Sequence, residues 1–181
     1  MSEMIENYKC ATCGQVHPGL PMSFAAEFPD QYANMSREQR DARAVIGSDQ
    51  CIIDQEWFFV RGCLEIPIIG TDEVFLWGLW AFVREEVFDE ISECELVGRE
   101  KSRGPFKGRL GNSLADYPET LNLKLRIALQ PLRARPLLVI EETDHPLAIE
   151  QSSGITHDRA LAMAALLLHQ ARGGFPEAFN S

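Results

Sequence analysis

The sequence predicts an α+β fold, in which a mostly antiparallel sheet of about five or six strands carries two or three packed helices. Three observations lead to this prediction: strand-like segments between residues 51 and 83, an unbroken apolar run at Ala160 to Leu168, and the N-terminal pattern Cys10-x-x-Cys13-Gly14-x-x-His17. With 181 residues, 45% of them hydrophobic, the chain is long enough to bury a core without disulfides. We expect one domain over 1–181, with residues 1–35 packed on an α+β body at 45–172.

The first 35 residues read as an irregular packed segment, because three prolines follow the cysteine turn in short succession at Pro18, Pro21 and Pro29. Ser36 then predicts a helix N-cap with Gln39 as its capping-box partner. That helix should run to about Ala44 and end by Gly47.

The next segments are strand-like. A hairpin is predicted from Cys51–Ile53 and Trp57–Val60 around the polar connection Asp54-Gln55-Glu56, with the second arm extended by 63–69. Val74 to Val83 predicts a central strand rich in aromatic residues. Residues 85–94 then change to a helical period.

Residues 98–111 are rich in Gly and Arg and read as a loop. Leu121 to Ile127 alternates strictly, which predicts a strand with one buried and one basic face. Leu137 to Ile140 is a further short strand. The apolar run Ala160 to Leu168 predicts a final helix, capped by Ser153 or Thr156 and ended by Arg172-Gly173-Gly174.

Composition restricts the class of partner. The formal charge is -10 and the pI near 4.9, which argues against general nucleic-acid binding and against binding to anionic membranes. The N-terminus lacks the basic and apolar regions of a signal peptide, and no apolar run is long enough to span a bilayer. A cytoplasmic location is therefore expected, where cysteines are thiols or metal ligands rather than disulfides.

Charge is unevenly distributed along the chain. Residues 99–135 hold nine of the 17 Lys and Arg against three acids, so this segment is +6 and the remainder is -16. One interpretation is a solvated surface that balances charge across the fold. The other is a patch for a phosphate or carboxylate ligand, for which the candidate residues are Arg61, Arg99, Lys101, Arg103, Lys107 and Arg109.

Cys10 and Cys13 predict a metal site, because two thiolates three residues apart can bind one tetrahedral ion from a single tight turn. A structural zinc site needs four protein ligands, and His17 is the candidate for the third. The fourth is Cys51 or Cys63, with Cys51 preferred because it begins its strand. Cys94 lies on the apolar face of a helix and reads as a small buried side chain.

Other interpretations of these residues stay open. An empty thiol pair and a redox dithiol are alternatives, although a redox pair is expected at a helix start after a strand. His157 and His169 cannot share a metal, since twelve helical residues separate them by about 18 Å along the axis. His145 and His157 read as ordinary turn and cap residues.

The chain resembles an uncharacterised bacterial family, domain of unknown function 2199. The resemblance covers nearly the whole chain and depends on Cys10-x-x-Cys13-Gly14-x-x-His17, Cys51–Asp54, Phe58–Pro67, Tyr117-Pro118-x-Thr120-Leu121-Asn122-Leu123-Lys124, and His145-Pro146-Leu147-Ala148-x-Glu150-Gln151. It implies a bacterial soluble protein built as one unit, and it supplies no catalytic residues.

Two functional classes follow from the sequence. The first is a binding or interaction module in which structural zinc holds the N-terminal segment against the sheet, with a protein or a small anionic ligand as partner. The second is a metal-dependent enzyme acting on a phosphate- or carboxylate-bearing small molecule. The sequence contains no P-loop, GxGxxG, HExxH or GxSxG motif, so it leaves open whether the protein is an enzyme.

Overall fold

The computed structural model describes residues 8–10, 13–17, 19–97 and 104–172. The strands in these ranges are β1 (Tyr8–Lys9), β2 (Val16–His17), β3 (Ser23–Ala25), β4 (Ala44–Ile46), β5 (Gln50–Ile53), β6 (Trp57–Pro67), β7 (Val74–Val83), β8 (Phe106–Leu110), β9 (Lys124–Ala128) and β10 (Leu137–Ile140). The helices are α1 (Asp30–Ala33), α2 (Arg37–Arg43), α3 (Glu85–Val97), α4 (Pro146–Ser153) and α5 (His157–Arg172).

Five of the strands close into a barrel. β6 to β10 pair in chain order through antiparallel neighbours, and β10 then pairs in parallel with β6 where Leu137 lies opposite Cys63. This closure abolishes the free edges that an open sheet of these five strands would have.

The two long strands of the barrel also carry extra strands. β5 pairs with the first part of β6, and β4 pairs with β5, both antiparallel. β3 pairs in parallel with β7 at Leu76–Gly78. The result is an eight-stranded sheet in which the β6–β7 hairpin belongs to both the barrel and its extension.

Two hydrophobic cores lie on opposite faces of this sheet. The larger one fills the barrel and extends to α3, α4 and α5, and its fully buried side chains include Leu64, Phe75 and Ile127. The smaller one consists of Cys51, Ile53, Phe59 and Trp80, and residues of the α1–α2 segment and of β4 pack against it.

Several sequence predictions are confirmed. Ser36 and Gln39 form the capping box of α2, with both reciprocal hydrogen bonds present. β7 and β10 have the predicted limits. The buried face of α3 includes Phe88, Ile91 and Cys94, and the Thr156 hydroxyl accepts from the Arg159 amide at the start of α5.

The predicted α+β class is confirmed only coarsely, because the prediction named neither the barrel nor its parallel closure. The described residues contain five α-helices and ten strands, more than expected. Residues 98–111 read as a loop, yet 106–110 form β8, whose glycine and two cations leave no apolar run to indicate a strand. Helix α4 is not predicted from the sequence, because residues 146–153 have a mixed composition and look like the segment that leads into the final helix.

Cys51 lies inside the smaller core, 0% exposed, opposite Phe59 in the β5–β6 ladder. Burial raises the pKa of its thiol to about 11, because a thiolate would lose its hydration there. The fold therefore keeps this side chain as a small neutral thiol, which is unlike the thiolate that zinc requires.

Gly62 permits the barrel to close. A Cβ at this position would lie 2.7 Å from both Leu138 Cδ2 and the Pro136 carbonyl oxygen. These two atoms belong to the segment that pairs with β6 where the barrel closes. We predict that Gly62→Ala lowers the free energy of unfolding by about 1–3 kcal/mol, because the two strands must separate to admit the methyl group. Urea unfolding measures this change. Gly47→Ala is the matched control, since a Cβ there meets only Gln50 O at 3.9 Å. Equal stability of the two variants would contradict the prediction.

The buried Cys51 thiol predicts a dependence of stability on alkaline pH. In the unfolded chain the thiol ionises near its ordinary pKa of 9.0, whereas in the folded protein ionisation waits until about 11. The contribution of the neutral Cys51 thiol to the free energy of unfolding is therefore fully present below pH 9 and is lost as the pH rises to 11. Cys51→Ala lacks this ionisable thiol and therefore lacks this loss. Between pH 9 and pH 11 the free energy of unfolding of the wild type should fall relative to that of the variant. Parallel pH curves for the two proteins would refute the assignment.

Candidate metal centre

The Cys10–His17 segment folds back on itself. The Cys10 amide donates to Gln15 O at 2.8 Å, and the Gly14 amide donates to Cys10 O at 2.8 Å. Gly14 has φ +70°, a conformation that glycine adopts without strain. The short β1–β2 ladder then places His17 opposite Tyr8. The turn and the ladder together bring the ligand atoms of Cys10, Cys13 and His17 close to one another.

The fourth member of the group comes from the other end of the described chain. His169 lies in α5, and its Nε2 is 3.1 Å from Cys10 Sγ, while His17 Nε2 is 3.4 Å from Cys13 Sγ. The two imidazole rings are 5.5 Å apart and nearly perpendicular. The ligand atoms of Cys10, Cys13, His17 and His169, which we call the metal group, all lie within 4.8 Å of one another.

These distances fit a tetrahedral ion. Zinc–ligand distances of about 2.0–2.3 Å place the ligand atoms of a tetrahedral site roughly 3.3–3.8 Å apart. Two of the separations in the group, 3.1 and 3.4 Å, are near this value, and the limit of 4.8 Å leaves only a small inward movement. The group could hold a metal ion with two thiolates and two imidazoles.

The four side chains of the group differ in how deeply they are buried. Cys10 is 1% exposed and belongs to the larger core, and His17 is 9% exposed. Cys13 is exposed and His169 is half-buried. The site therefore lies at the boundary between core and solvent, with one sulfur accessible from outside.

The structure brings together three of the four predicted ligands and gives His169 in place of Cys51. Cys51 is buried in the smaller core, whereas Cys10 belongs to the larger one. Cys63 is half-buried on β6 at the barrel closure, and burial raises the pKa of its thiol. Cys94 is buried in α3, as expected.

His169 carried a signal that the sequence reasoning did not use. Positions four and eight residues earlier, Ala165 and Leu161, lie on the same helical face and are buried. A histidine that continues a buried face needs a polar partner there, which the paired thiols supply. The exclusion of a shared site with His157 was sound, but it did not exclude His169 alone.

Helix α5 is fixed at its start by a group of charged side chains. The Arg159 guanidinium donates to Asp116, and its Nε donates to Glu150 Oε1 of α4 at 3.0 Å. Tyr117 also donates its hydroxyl to Glu150, and both burial and this contact raise the pKa of the phenol. Burial lowers the pKa of Arg159, but the hydrogen bonds and charges of Glu150 and Asp116 together outweigh burial, so the pKa of this guanidinium is raised. These contacts join α4, α5 and the 114–120 loop, which fixes the direction of α5 toward His169.

The predicted anion-binding residues separate into three groups. Arg61 is 7% exposed, lies over the Trp80 ring and donates to Ala26 O at 3.0 Å. Lys107 and Arg109 are exposed on β8. Arg99, Lys101 and Arg103 lie outside the described residues.

The other histidines have local roles. His145 caps α4, because its Nδ1 accepts from the Leu147 amide at 3.1 Å, and its Nε2 lies 3.2 Å from Glu119 O. His157 begins α5 and does not join the metal group. Both observations agree with the cap and turn interpretations.

Comparison with known proteins adds one result. Residues 9–155 match a family described as uncharacterized proteins conserved in bacteria, and the match includes Cys10, Cys13 and His17 but ends before α5. No curated protein and no solved structure matches the chain. Among the described helices, none has the length and apolarity needed to cross a bilayer. The chain belongs to the bacterial family DUF2199.

Proposed function

We propose that the protein is a zinc-stabilised interaction module, in which one structural ion bound by Cys10, Cys13, His17 and His169 joins the N-terminal hairpin to helix α5. The observation that carries the proposal is the convergence of four ligand atoms from both ends of the described chain within 4.8 Å. Two thiolates and two neutral imidazoles leave a Zn²⁺ site with no net charge, which suits a partly buried position.

The hairpin has a physical need for such a link. β1 and β2 have two residues each and pair only with one another in the described sheets. A two-stranded hairpin is marginal by itself in water. An ion bound to both the hairpin and α5 would supply the missing stability. The site does not exist in the unfolded chain, so the free energy of metal binding adds to the free energy of folding.

A structural role is favoured over catalysis at the metal. A catalytic zinc site keeps a coordination position for water or substrate, whereas this group offers four protein ligands to a four-coordinate ion. The alternative function, a metal-dependent enzyme acting on a phosphate- or carboxylate-bearing molecule, would require one of the four side chains to leave the ion.

Metal analysis tests the proposal. Protein purified without added metal should contain about one zinc per chain, and His169→Ala should retain less than roughly half of it after dialysis. The melting temperature of His169→Ala should fall by roughly 5 °C or more, since the link from the hairpin to α5 is lost. Elemental analysis and thermal unfolding measure both effects.

His157→Ala is the matched control, because it removes a histidine from the same helix at a position outside the metal group. It should keep the zinc and the melting temperature of the wild type. Cys10→Ser and Cys13→Ser should each behave like His169→Ala. Full zinc retention by all three ligand variants would overturn the assignment of the site.

A further inference from the structure

Four cations form a grid on the outer face of the barrel. In the β8–β9 ladder, Lys107 lies opposite Arg126 and Arg109 lies opposite Lys124. All four side chains are exposed, while the alternate residues of both strands face the core. Cations directly opposite one another on neighbouring strands repel, so this register is unfavourable for the isolated fold.

The described part of the fold does little to neutralise this grid. The ion pairs between described residues involve Arg37, Arg43, Arg135 and Arg159, and none of them includes a member of the grid. One polar contact is present, in which Arg109 Nη1 donates to Asn122 O at 3.2 Å. In a chain of net charge -10, repelling cations gathered on one face are an arrangement that an external anion would relieve.

A groove with one apolar side begins where the grid ends. Arg126 lies between Lys107 on β8 and Val139 on β10 in the sheet register. The groove, of about 380 Å³, has an apolar side made of Val139, Ile140, Ala148 and Ile149 and a polar side made of Arg126, Glu142, Thr143 and Ser152. Val139 is 41% exposed and Ile149 is 50% exposed. A ligand of this surface therefore meets cations and a partly exposed apolar recess side by side.

We propose that this surface, made of Lys107, Arg109, Lys124 and Arg126 with the adjoining groove, binds an acidic segment of a partner protein in extended conformation. The proposal names the partner for the interaction role proposed above, and it rests on that role. Side chains on one face of an extended segment recur every two residues, about 6.8 Å apart, which is also the spacing of Lys107 and Arg109. Two carboxylates would face the grid, and an apolar side chain further along the same face of the segment would enter the groove.

Nucleic acid fits this surface less well. Among the described residues, no aromatic ring lines the groove, so these residues offer no platform on which a base could stack. The net charge of -10 also opposes a long polyanion, whereas a short acidic segment meets mainly the local cations.

A peptide selection tests the proposal with intact, zinc-loaded protein. A phage-displayed library of random dodecapeptides is selected on the wild type and counter-selected on the double variant Lys107→Glu/Arg126→Glu. Enriched peptides should carry two acidic residues at i and i+2 and an apolar residue on the same face, two positions before or after this pair. A synthetic peptide of the enriched sequence should bind the double variant at least about tenfold more weakly, as measured by fluorescence anisotropy.

The control variant Arg37→Glu/Arg43→Glu makes the same change in net charge at exposed positions of α2, which packs on β4 at the far end of the sheet from β8, and should bind like the wild type. Ile149→Ser should weaken binding several-fold through the groove alone. Zinc content is measured on every variant, so that failure of the metal assignment is seen separately from failure of peptide binding.

Three outcomes would overturn the proposal. The first is a selection without acidic enrichment, or peptide binding that the grid variant leaves unchanged. The second is binding of an oligothymidylate probe that exceeds peptide binding and is lost in the grid variant, since the ligand would then be nucleic acid. The third is a wild-type dimer in sedimentation that the grid variant dissociates, which would assign the surface to a second copy of the chain.

Discussion

The antiparallel pairing of β6 with β7 is the contact on which the rest of the structure depends. Ten residue pairs, from Phe58 opposite Val83 to Pro67 opposite Val74, align the two longest strands. Each strand then carries two partners along its outer edge: β5 and β10 on β6, and β3 and β8 on β7. One hairpin thus serves as a wall of the barrel and as the base of the sheet extension, and its two faces bury the two cores. A substitution in this hairpin therefore affects the packing of both hydrophobic cores.

The metal group depends on this hairpin indirectly. At the end of β6 the Ile155 amide donates to Pro67 O, and the Ile69 amide donates to Ile155 O, which joins the segment before α5 to the hairpin. Arg159 then binds α5 to α4 and to the 114–120 loop. Because the beginning of α5 is held in this way, its later turns extend to the N-terminal segment and bring His169 to Cys10. The proposed ion would complete a connection that hydrogen bonds and packing have already positioned.

The cations of the described residues fall into two sets: those that are paired or buried within the fold, and those that are exposed without a carboxylate partner. Arg159, Arg43 and Arg135 are engaged by carboxylates, and Arg61 is covered by the smaller core, where burial lowers its pKa. The cations on β8 and β9 lack such partners among the described residues, even though acids outnumber bases in the chain. Partnered cations hold elements of the fold together, whereas the grid faces solvent next to an apolar recess. This difference is the reason why the two sets have different proposed roles.

The sequence by itself determined several local elements and three of the four members of the candidate metal group. The capping box at Ser36, the limits of β7 and β10, the buried face of α3 and the Cys10–His17 cluster all follow from short-range patterns, because periodicity and spacing over a few residues fix which side chains share a face. The tertiary structure alone decided what lies far apart in the chain. The parallel pairing of Leu137 with Cys63, the strand identity of 106–110, the choice of His169 over Cys51 and the opposition of Lys107 to Arg126 each depend on contacts between distant segments. Such contacts are set by how whole elements pack, and no local pattern specifies them.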